Sequence, residues 1–224
     1  MALTDLKSFI IDDSIHTRIP DVSLGLILAS VSVSPSGPEL LELIEDLSRT
    51  IHAKIRAEQL PEIEQLTAAR KAYRMLGKDP SRYRGAAEAL VRRLISGRRL
   101  YKINNVVEIN NLISLQCLHP VASYDAERID GEVRFRLGHR CESYKGIGKE
   151  IINTEDLPVF ADNLGAFGSP TSDSERTMIR PNTLMIVIAI MSFMVPAHLE
   201  VHIESACALL RVFAGASIIE TRIC

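Results

Sequence analysis

The longest apolar stretch of the sequence, LMIVIAIMSFMV, runs from Leu184 to Val195 and is interrupted only by Ser192. It is shorter than the roughly 20 residues that a helix needs to cross a bilayer, so no membrane span is expected. Its length and its Ile and Val content are typical of a strand buried on both faces. We therefore predict a central strand over residues 184–194, ended by Pro196.

Shorter patterns place other elements around this strand. Alternating or continuous apolar residues predict further strands over residues 8–15, 21–33, 129–137 and 217–223. Apolar residues at three- and four-residue steps predict helices over residues 38–58, 61–77, 82–97, 106–118 and 199–213. Because strands and helices are mixed without strict alternation, we expect an α+β fold. We interpret residues 1–224 as one domain, with N-terminal strands and helices in residues 1–69 and a core in residues 70–224.

The remaining composition excludes several classes of protein. The N-terminal sequence MALTDLKSFIIDD lacks a basic region followed by a long apolar stretch, so we expect no signal peptide and a cytoplasmic location. The HLEVH sequence lacks the glutamate placement of HExxH, in which the glutamate directly follows the first histidine. No metal or other cofactor is expected. The cysteines form no close pair and are predicted to be reduced thiols. They are Cys117, Cys141, Cys207 and Cys224.

Positive charge is concentrated in residues 70–102. This segment has eleven Lys and Arg against Asp79 and Glu88, a net charge of +9, whereas the whole chain carries −2. Such a concentration indicates a partner with negative charge, and RNA is our first candidate. The alternative is that these cations complement the dipole of a helix C-terminus. The residues expected to contact RNA are Arg82, Arg84, Arg92, Arg93, Arg98 and Arg99.

Two sets of polar residues are candidates for a binding or catalytic site. Polar side chains in the apolar 106–118 segment must be hydrogen-bonded, either to neighbouring loops or to a ligand. A second set lies in the glycine- and proline-rich segment 141–181, of which residues 163–180 are expected to be a long loop. There, a carboxylate near an arginine suits an amino acid or a hydrolytic water, although DSER also suits a simple turn. This second set is Glu142, Asp162, Asn163, Ser169, Asp173, Ser174 and Arg176.

Several stretches resemble a known family. YRMLGKDPSRYRGAAEALVRR, INNVVEINNLISL, HPVASYDAERIDG and RCESYKGIG are similar to the editing (B3/B4) domain of the phenylalanyl-tRNA synthetase beta subunit, especially to its free-standing relatives. The resemblance covers about residues 70–190. It implies a partly barrel-like sheet flanked by helices, with a cleft for an amino acid esterified to tRNA. In the full synthetase this module hydrolyses tyrosine mischarged onto phenylalanine tRNA, a form of double-sieve editing that protects translation fidelity.

The resemblance also suggests roles for individual residues. Asn111 and Asp125 match the motif Asn and Asp, Glu142 lies in an acidic turn, and Asp162 follows a strand. The residues expected to act in catalysis are Glu142, Asp162 and Asp173. Those expected to bind the amino acid are Asn111, Asp125, Asn163, Ser169 and Arg176.

The chain departs from the family pattern at two polar positions. Ala122 stands where an editing histidine is usual, and residues 186–190 lack an expected glutamate, while Glu108 replaces an aspartate. If the chain hydrolyses an ester, the polar loop at residues 162–176 must therefore contribute. No ATP-binding core is visible, so charging of tRNA is not expected.

Three hypotheses of function follow. The first is a stand-alone domain that recognises aminoacyl-tRNA, with hydrolysis of mischarged tRNA as its candidate reaction. The second is a module that binds an amino-acid-like metabolite without RNA. The third is a structural role, in which the cleft would be filled by the chain's own side chains.

Overall fold

A computed structural model describes residues 5–195 and 197–224, where the chain forms six α-helices and ten β-strands. This content confirms the α+β class. The helices are α1 (Asp13–His16), α2 (Pro38–Lys54), α3 (Glu64–Met75), α4 (Ala86–Ile95), α5 (Asn105–Cys117) and α6 (Leu199–Ala214). The strands are β1 (Phe9–Ile11), β2 (Ser23–Ser30), β3 (Val121–Asp125), β4 (Val133–Leu137), β5 (Ser143–Lys145), β6 (Ile151–Asn153), β7 (Pro158–Asp162), β8 (Gly165–Gly168), β9 (Met185–Ser192) and β10 (Ser217–Ile223).

The predicted central strand, β9, lies inside an antiparallel sheet of order β10-β2-β9-β3. It pairs with β2 along its whole length and with β3 on its other side. The prediction of a buried central strand is therefore confirmed. Pro196, which was expected to end it, lies outside the described residues.

A second sheet has the order β1-β4-β7-β8, and β5 pairs with β6 in a separate hairpin. In the second sheet β1 runs parallel to β4, whereas the other neighbours are antiparallel. In the described residues these sheets remain separate and do not close into one barrel. The partly barrel-like core implied by the family resemblance is thus replaced by packed sheets.

Alternate residues of β9 enter different cores, as the two-residue period of a strand requires. Val187 and Met191 face a core that the second sheet completes with Phe135 and Phe160. The opposite face, which includes Ile188, packs with α5 and α6. Full burial of each large aliphatic side chain contributes about 1.5–3 kcal/mol, so both faces anchor the sheet.

The paired asparagines of helix α5 are structural. Asn104 caps the helix, since its side chain accepts the N–H of Val107 at 2.9 Å. Asn105 donates to the carbonyl oxygens of Ser32 and Phe213, both at 2.9 Å. These bonds tie neighbouring segments to the start of the helix, and in the 106–118 segment Asn110 does the same by donating to the carbonyl oxygen of Val121 at 3.1 Å.

Three element predictions were wrong in type or bounds, and one strand was missed. Residues 8–15 contain the short β1 followed by α1, because Asp12 caps a helix by accepting the N–H of Ser14. Strand β3 was not predicted. The segment 163–180 is not wholly loop, because Gly165–Gly168 forms β8 against β7. The helix expected from Arg82 begins instead at Ala86.

Two expectations about the whole chain can be compared with the described residues. Within ranges 5–195 and 197–224, every helix is too short or too polar to span a bilayer. The four cysteines are free thiols, with Cys117 and Cys207 buried.

Candidate functional site

The polar loop expected to carry the chemistry is held in place by Asp162. Arg176 donates to its carboxylate through two nitrogens at 2.8 and 2.9 Å. The backbone N–H groups of Asp130 and Leu164 add two more bonds, each of 2.9 Å. The Asp162 side chain is fully buried. Its four acceptor positions are therefore all engaged within the protein, and it has none to offer to a substrate or a water.

Glu142 is saturated in the same way. Its carboxylate accepts two bonds of 2.8 Å from Arg136, one of 2.8 Å from the N–H of His139 and one of 3.1 Å from the N–H of Ala166. Burial alone would raise the pKa of Glu142, but the bonds from Arg136 and the backbone outweigh it and lower the pKa to about 2. A carboxylate with so low a pKa is a weak base, which suits a structural role.

Asp173 is a different kind of carboxylate. It accepts a hydrogen bond of 2.8 Å from the hydroxyl of Tyr124. The residue is partly exposed to solvent. Burial raises the pKa of Asp173 to about 7, against the opposing effect of the Tyr124 hydrogen bond. Gly168 permits this contact, since a Cβ there would lie only 2.1 Å from the Tyr124 hydroxyl oxygen. Of the three predicted catalytic carboxylates, Asp173 alone combines accessibility with a pKa suited to a general base.

Two further tyrosines fix the loop that precedes Asp173. The hydroxyl of Tyr73 lies 2.6 Å from that of Thr171, and the hydroxyl of Tyr144 donates to the carbonyl of Ser172 at 2.5 Å. The hydroxyl of Ser169 donates to the same carbonyl at 2.8 Å. Ser169 is buried and turned into its own loop. This loop is thus a rigid polar support, and Ser169 is one of its internal bonds.

The other residues predicted to bind the amino acid are scattered. Asp125 accepts the N–H of Glu127 at 3.1 Å and the hydroxyl of Thr183 at 2.8 Å, so it fixes the turn after β3. Asn163 lies in the turn that links β7 to β8, near Asp162. Asn111 lines a cavity beside α2, at which none of the other predicted amino-acid contacts lies. The structure therefore groups Glu142, Asp162, Asn163, Ser169, Asp173 and Arg176 around the hairpin β7–β8 and places Asn111 and Asp125 apart from it.

Core side chains surround Ala122, the position at which the family resemblance implies an editing histidine. Ala122 is paired with Ala189 across β3 and β9. These two residues are 2% and 0% exposed. Both belong to the apolar core between the sheets. A substrate cannot reach this position in the present conformation.

A cavity of about 470 Å³ lies between α2 and the segment 97–102, which links α4 to α5. Leu41 and Ile44 of α2 and Leu94 and Leu100 opposite them form its apolar walls. This volume is within the range of about 300–1,000 Å³ that is common for small-molecule sites. Sequence reasoning missed the cavity, because its two walls are about fifty residues apart in the chain.

Glu108 is the unusual polar group of this cavity. It lines the cavity from α5 and is only 3% exposed. Its Oε1 accepts the N–H of Ile103 at 2.6 Å, whereas its Oε2 accepts no hydrogen bond from any described residue. A signal for this group is visible in the sequence, since a buried glutamate inside an apolar helix needs a partner. Half-buried Asn111 lines the same cavity one helical turn further along.

Part of the basic segment is engaged within the protein. Glu88 is only 3% exposed. Its carboxylate accepts hydrogen bonds from Arg92 Nε at 2.6 Å and from Arg70 at 3.1 Å. Arg84 Nε lies 3.6 Å from the same carboxylate. The predicted RNA contacts Arg84 and Arg92 share this one acid with Arg70, so part of their interaction capacity is used within the protein.

The C-terminal end of the basic segment lines the cavity. Arg93 lies over the ring of Tyr101, with its guanidinium carbon 4.0 Å from the ring centre, and donates to the carbonyl of Arg99 at 2.6 Å. Tyr101 is 68% exposed. The exposed cations that line the cavity beside it are Arg98, Arg99 and Lys102. Arg82 is exposed in the turn before α4. No group of three or more His, Cys, Asp and Glu within the described ranges is arranged to hold a metal ion.

Comparisons with known proteins agree with this picture of the domain. The family model of the B3/4 domain matches residues 68–212. A curated relative, the phenylalanine–tRNA ligase beta subunit of Wolbachia sp. subsp. Brugia malayi (strain TRS), is 34% identical over 62 residues. That match covers 27% of this chain and 8% of the relative.

A solved structure is similar over most of the chain. It is an N-terminal fragment of the phenylalanyl-tRNA synthetase beta subunit from Pyrococcus horikoshii, with a TM-score of 0.47 and 12% sequence identity. The likeness covers 94% of this chain and 49% of the fragment, so the chain spans about half of that structure and less than a tenth of the curated relative. With the family model matched across well over half of its residues, this chain belongs to the B3/4 domain family.

Proposed function

We propose that this chain is a recognition domain for RNA of the aminoacyl-tRNA class, and that it binds through the segment 97–102 and the cavity beside it. One observation carries the proposal: exposed cations and an exposed tyrosine line a cavity that contains the Glu108 carboxylate, whose Oε2 has no hydrogen-bond partner among the described residues. Membership of the B3/4 family supports it, because the curated relative is the beta subunit of a tRNA ligase.

The distribution of charge favours this surface over the rest of the basic segment. A phosphate contact requires a cation whose charge is not already balanced by the protein. Arg84 and Arg92 share the buried carboxylate of Glu88. Arg98, Arg99 and Lys102 are exposed at the cavity, as is Arg82 near the start of α4. We assign the phosphate contacts to this second set.

The proposed role is recognition, exercised in the cytoplasm on aminoacyl-tRNA or its amino-acid end. Hydrolysis is the second candidate, and Asp173 is the observation that favours it, because its pKa of about 7 suits a base that activates water. Glu142 and Asp162 would then hold the supporting loop, since their acceptor positions are occupied by arginine and backbone donors.

Salt-dependent binding of tRNA tests the proposal. Each phosphate contact contributes about 0.7–0.9 to the slope of log affinity against log salt. We expect the triple variant Arg98→Ala, Arg99→Ala, Lys102→Ala to reduce that slope by about 2 and to weaken binding by at least about tenfold. A triple variant at exposed cations outside the segment is the matched control for net charge. It consists of Lys7→Ala, Arg18→Ala and Arg211→Ala.

Fluorescence anisotropy over a range of salt concentrations measures both slopes. A weak or salt-independent response in the parent protein would overturn the proposal and favour the metabolite-binding alternative. Equal losses in the two triple variants would show that net charge alone matters. Incubation with mischarged tRNAs then decides on catalysis: release of amino acid that is lost in Asp173→Asn supports hydrolysis, and binding without release leaves recognition alone.

A further inference from the structure

The carboxylate of Glu108 is only half satisfied by the protein. Its Oε1 accepts one backbone N–H, but its Oε2 is buried and has no hydrogen-bond partner among the described residues. A buried polar atom without a partner is costly, and such atoms are uncommon in native proteins. Glu108 lines the cavity beside α2, so a ligand in that cavity can supply the missing donor.

The other surfaces of the cavity restrict what that ligand can be. Its walls are apolar, formed by Leu41, Ile44, Leu94 and Leu100. Its exposed lining has an excess of positive charge, because four cations face two acids: Arg49, Arg98, Arg99 and Lys102 against Glu42 and Glu45. Tyr101 also lines it and lies against the guanidinium of Arg93. A suitable ligand therefore has a hydrogen-bond donor at its inner end, a flat or apolar body, and negative charge at its outer end.

A nucleotide of single-stranded RNA has these three features. Its base can leave the stack, lie against apolar and aromatic side chains and be recognised by the hydrogen-bonding groups on its edge. Its phosphate would meet the exposed cations at the mouth. An exocyclic amino group is the donor that a carboxylate oxygen accepts, as when Glu or Asp accepts from the amino group of cytosine.

We propose that this cavity receives one unstacked nucleotide whose base carries an exocyclic amino group, and that Glu108 selects it through Oε2. The inference rests on the RNA recognition proposed above and adds a selectivity to it. Adenine, cytosine and guanine present such an amino group, and adenine and cytosine are the two to compare with uracil. Uracil presents carbonyl oxygens at the corresponding positions, and these repel a carboxylate.

Short labelled oligoribonucleotides test the selectivity with the full chain. We expect oligoadenylate and oligocytidylate to bind at least about tenfold more tightly than oligouridylate, the factor that corresponds to a difference of about 1.4 kcal/mol. These oligonucleotides carry no amino acid, so any preference reports the base. It does not report an aminoacyl amine.

Two variants separate the effect of the Glu108 carboxylate from the effect of net charge. Glu108→Gln keeps an oxygen for the N–H of Ile103 and can offer an amide N–H₂ to uracil, so the preference should vanish or reverse. Glu39→Gln removes the same charge from an exposed position on α2 outside the cavity lining and should keep the preference. Circular dichroism checks that both variants are folded.

The outcomes distinguish this inference from the proposed function. Salt-dependent binding of all three oligonucleotides with equal affinity would overturn the selectivity and leave RNA recognition in place. A preference that persists in Glu108→Gln would also overturn it. Failure of every oligonucleotide and of tRNA to bind would remove both proposals together.

Discussion

The hairpin region around Asp162 and the cavity beside α2 both contain buried carboxylates, but they satisfy them differently. Asp162 accepts four hydrogen bonds, two of them from Arg176. Glu108 accepts one, and its second oxygen has no partner among the described residues. The first region is closed by its own contacts, whereas the second is completed only when something else enters.

This difference distinguishes polar groups that hold the protein together from polar groups that are available to a ligand. The hairpin region is the richer in polar residues, and for that reason it was the expected site. Polar residues are concentrated there because Arg136 pairs with the largely buried Glu142 and Arg176 pairs with the buried Asp162, and each pair fixes a loop. The cavity is also lined by polar and charged side chains, but one of them, Glu108, keeps a buried oxygen that no described residue satisfies. For binding, the unpaired acceptor is the more informative observation.

The largest expected effect comes from Asp162→Asn. The N–H₂ group of the new amide would face N–H donors that hydrogen-bond to the carboxylate in the parent. The positive charge of Arg176 would also lose its negatively charged partner. Breaking a buried pair in this way costs about 3–5 kcal/mol, which we expect as the loss in free energy of unfolding. Urea denaturation measures it.

Glu150→Gln provides the control, since Glu150 is exposed in the turn before β6. Its effect should stay below about 0.5 kcal/mol. A loss of less than about 1 kcal/mol in Asp162→Asn would mean that the hairpin region tolerates an unbalanced charge, and the contrast between the two regions would not hold.

The pH dependence of stability sharpens the comparison at Asp173. Burial raises its folded pKa to about 7 from an ordinary value of 3.8. Between these values the unfolded chain ionises while the folded chain keeps its proton, so the parent loses stability as the pH rises, and the loss is complete above about pH 7. An asparagine cannot ionise and avoids this loss.

Asp173→Asn should therefore match the parent near pH 4 and exceed it at pH 8, by an amount on the order of 2 kcal/mol given that Asp173 is partly accessible. Thermal unfolding at several pH values measures the difference. Asp21→Asn, at an exposed position, should leave the pH profile unchanged. A parallel profile for Asp173→Asn and the parent would show that Asp173 is ionised in the folded protein at low pH.

Local patterns were sufficient to predict much of the fold. Residues 184–194 predicted the central strand because β9 is buried on both faces and has no polar interruption until Ser192. The helical spacing of residues 106–118 predicted α5. Strand β3 was missed, because it is only five residues long and follows closely on a helix. Its pairing with β9 depends on residues more than sixty positions away.

The site was less predictable than the fold, for a related reason. The sequence shows that Glu142, Asp162 and Arg176 are charged, but not that Arg136 and Arg176 saturate the two acids. Hydrogen-bond saturation depends on three-dimensional neighbours. The cavity has the same origin, since α2 and the segment 97–102 meet only in the folded chain.

The smallest expected effect, of opposite sign, comes from Glu108→Gln in the absence of RNA. The amide keeps an acceptor for the N–H of Ile103 and removes a charge that is buried without a hydrogen-bonded partner at Oε2. We expect the free energy of unfolding to stay equal or to rise by about 1 kcal/mol, because the cost of burying that charge is relieved. The same acid-to-amide change is thus expected to be neutral or stabilising at Glu108 and destabilising at Asp162. Urea denaturation of both variants at pH 7 compares them directly, and a loss above about 1 kcal/mol in Glu108→Gln would mean that the protein itself engages Oε2.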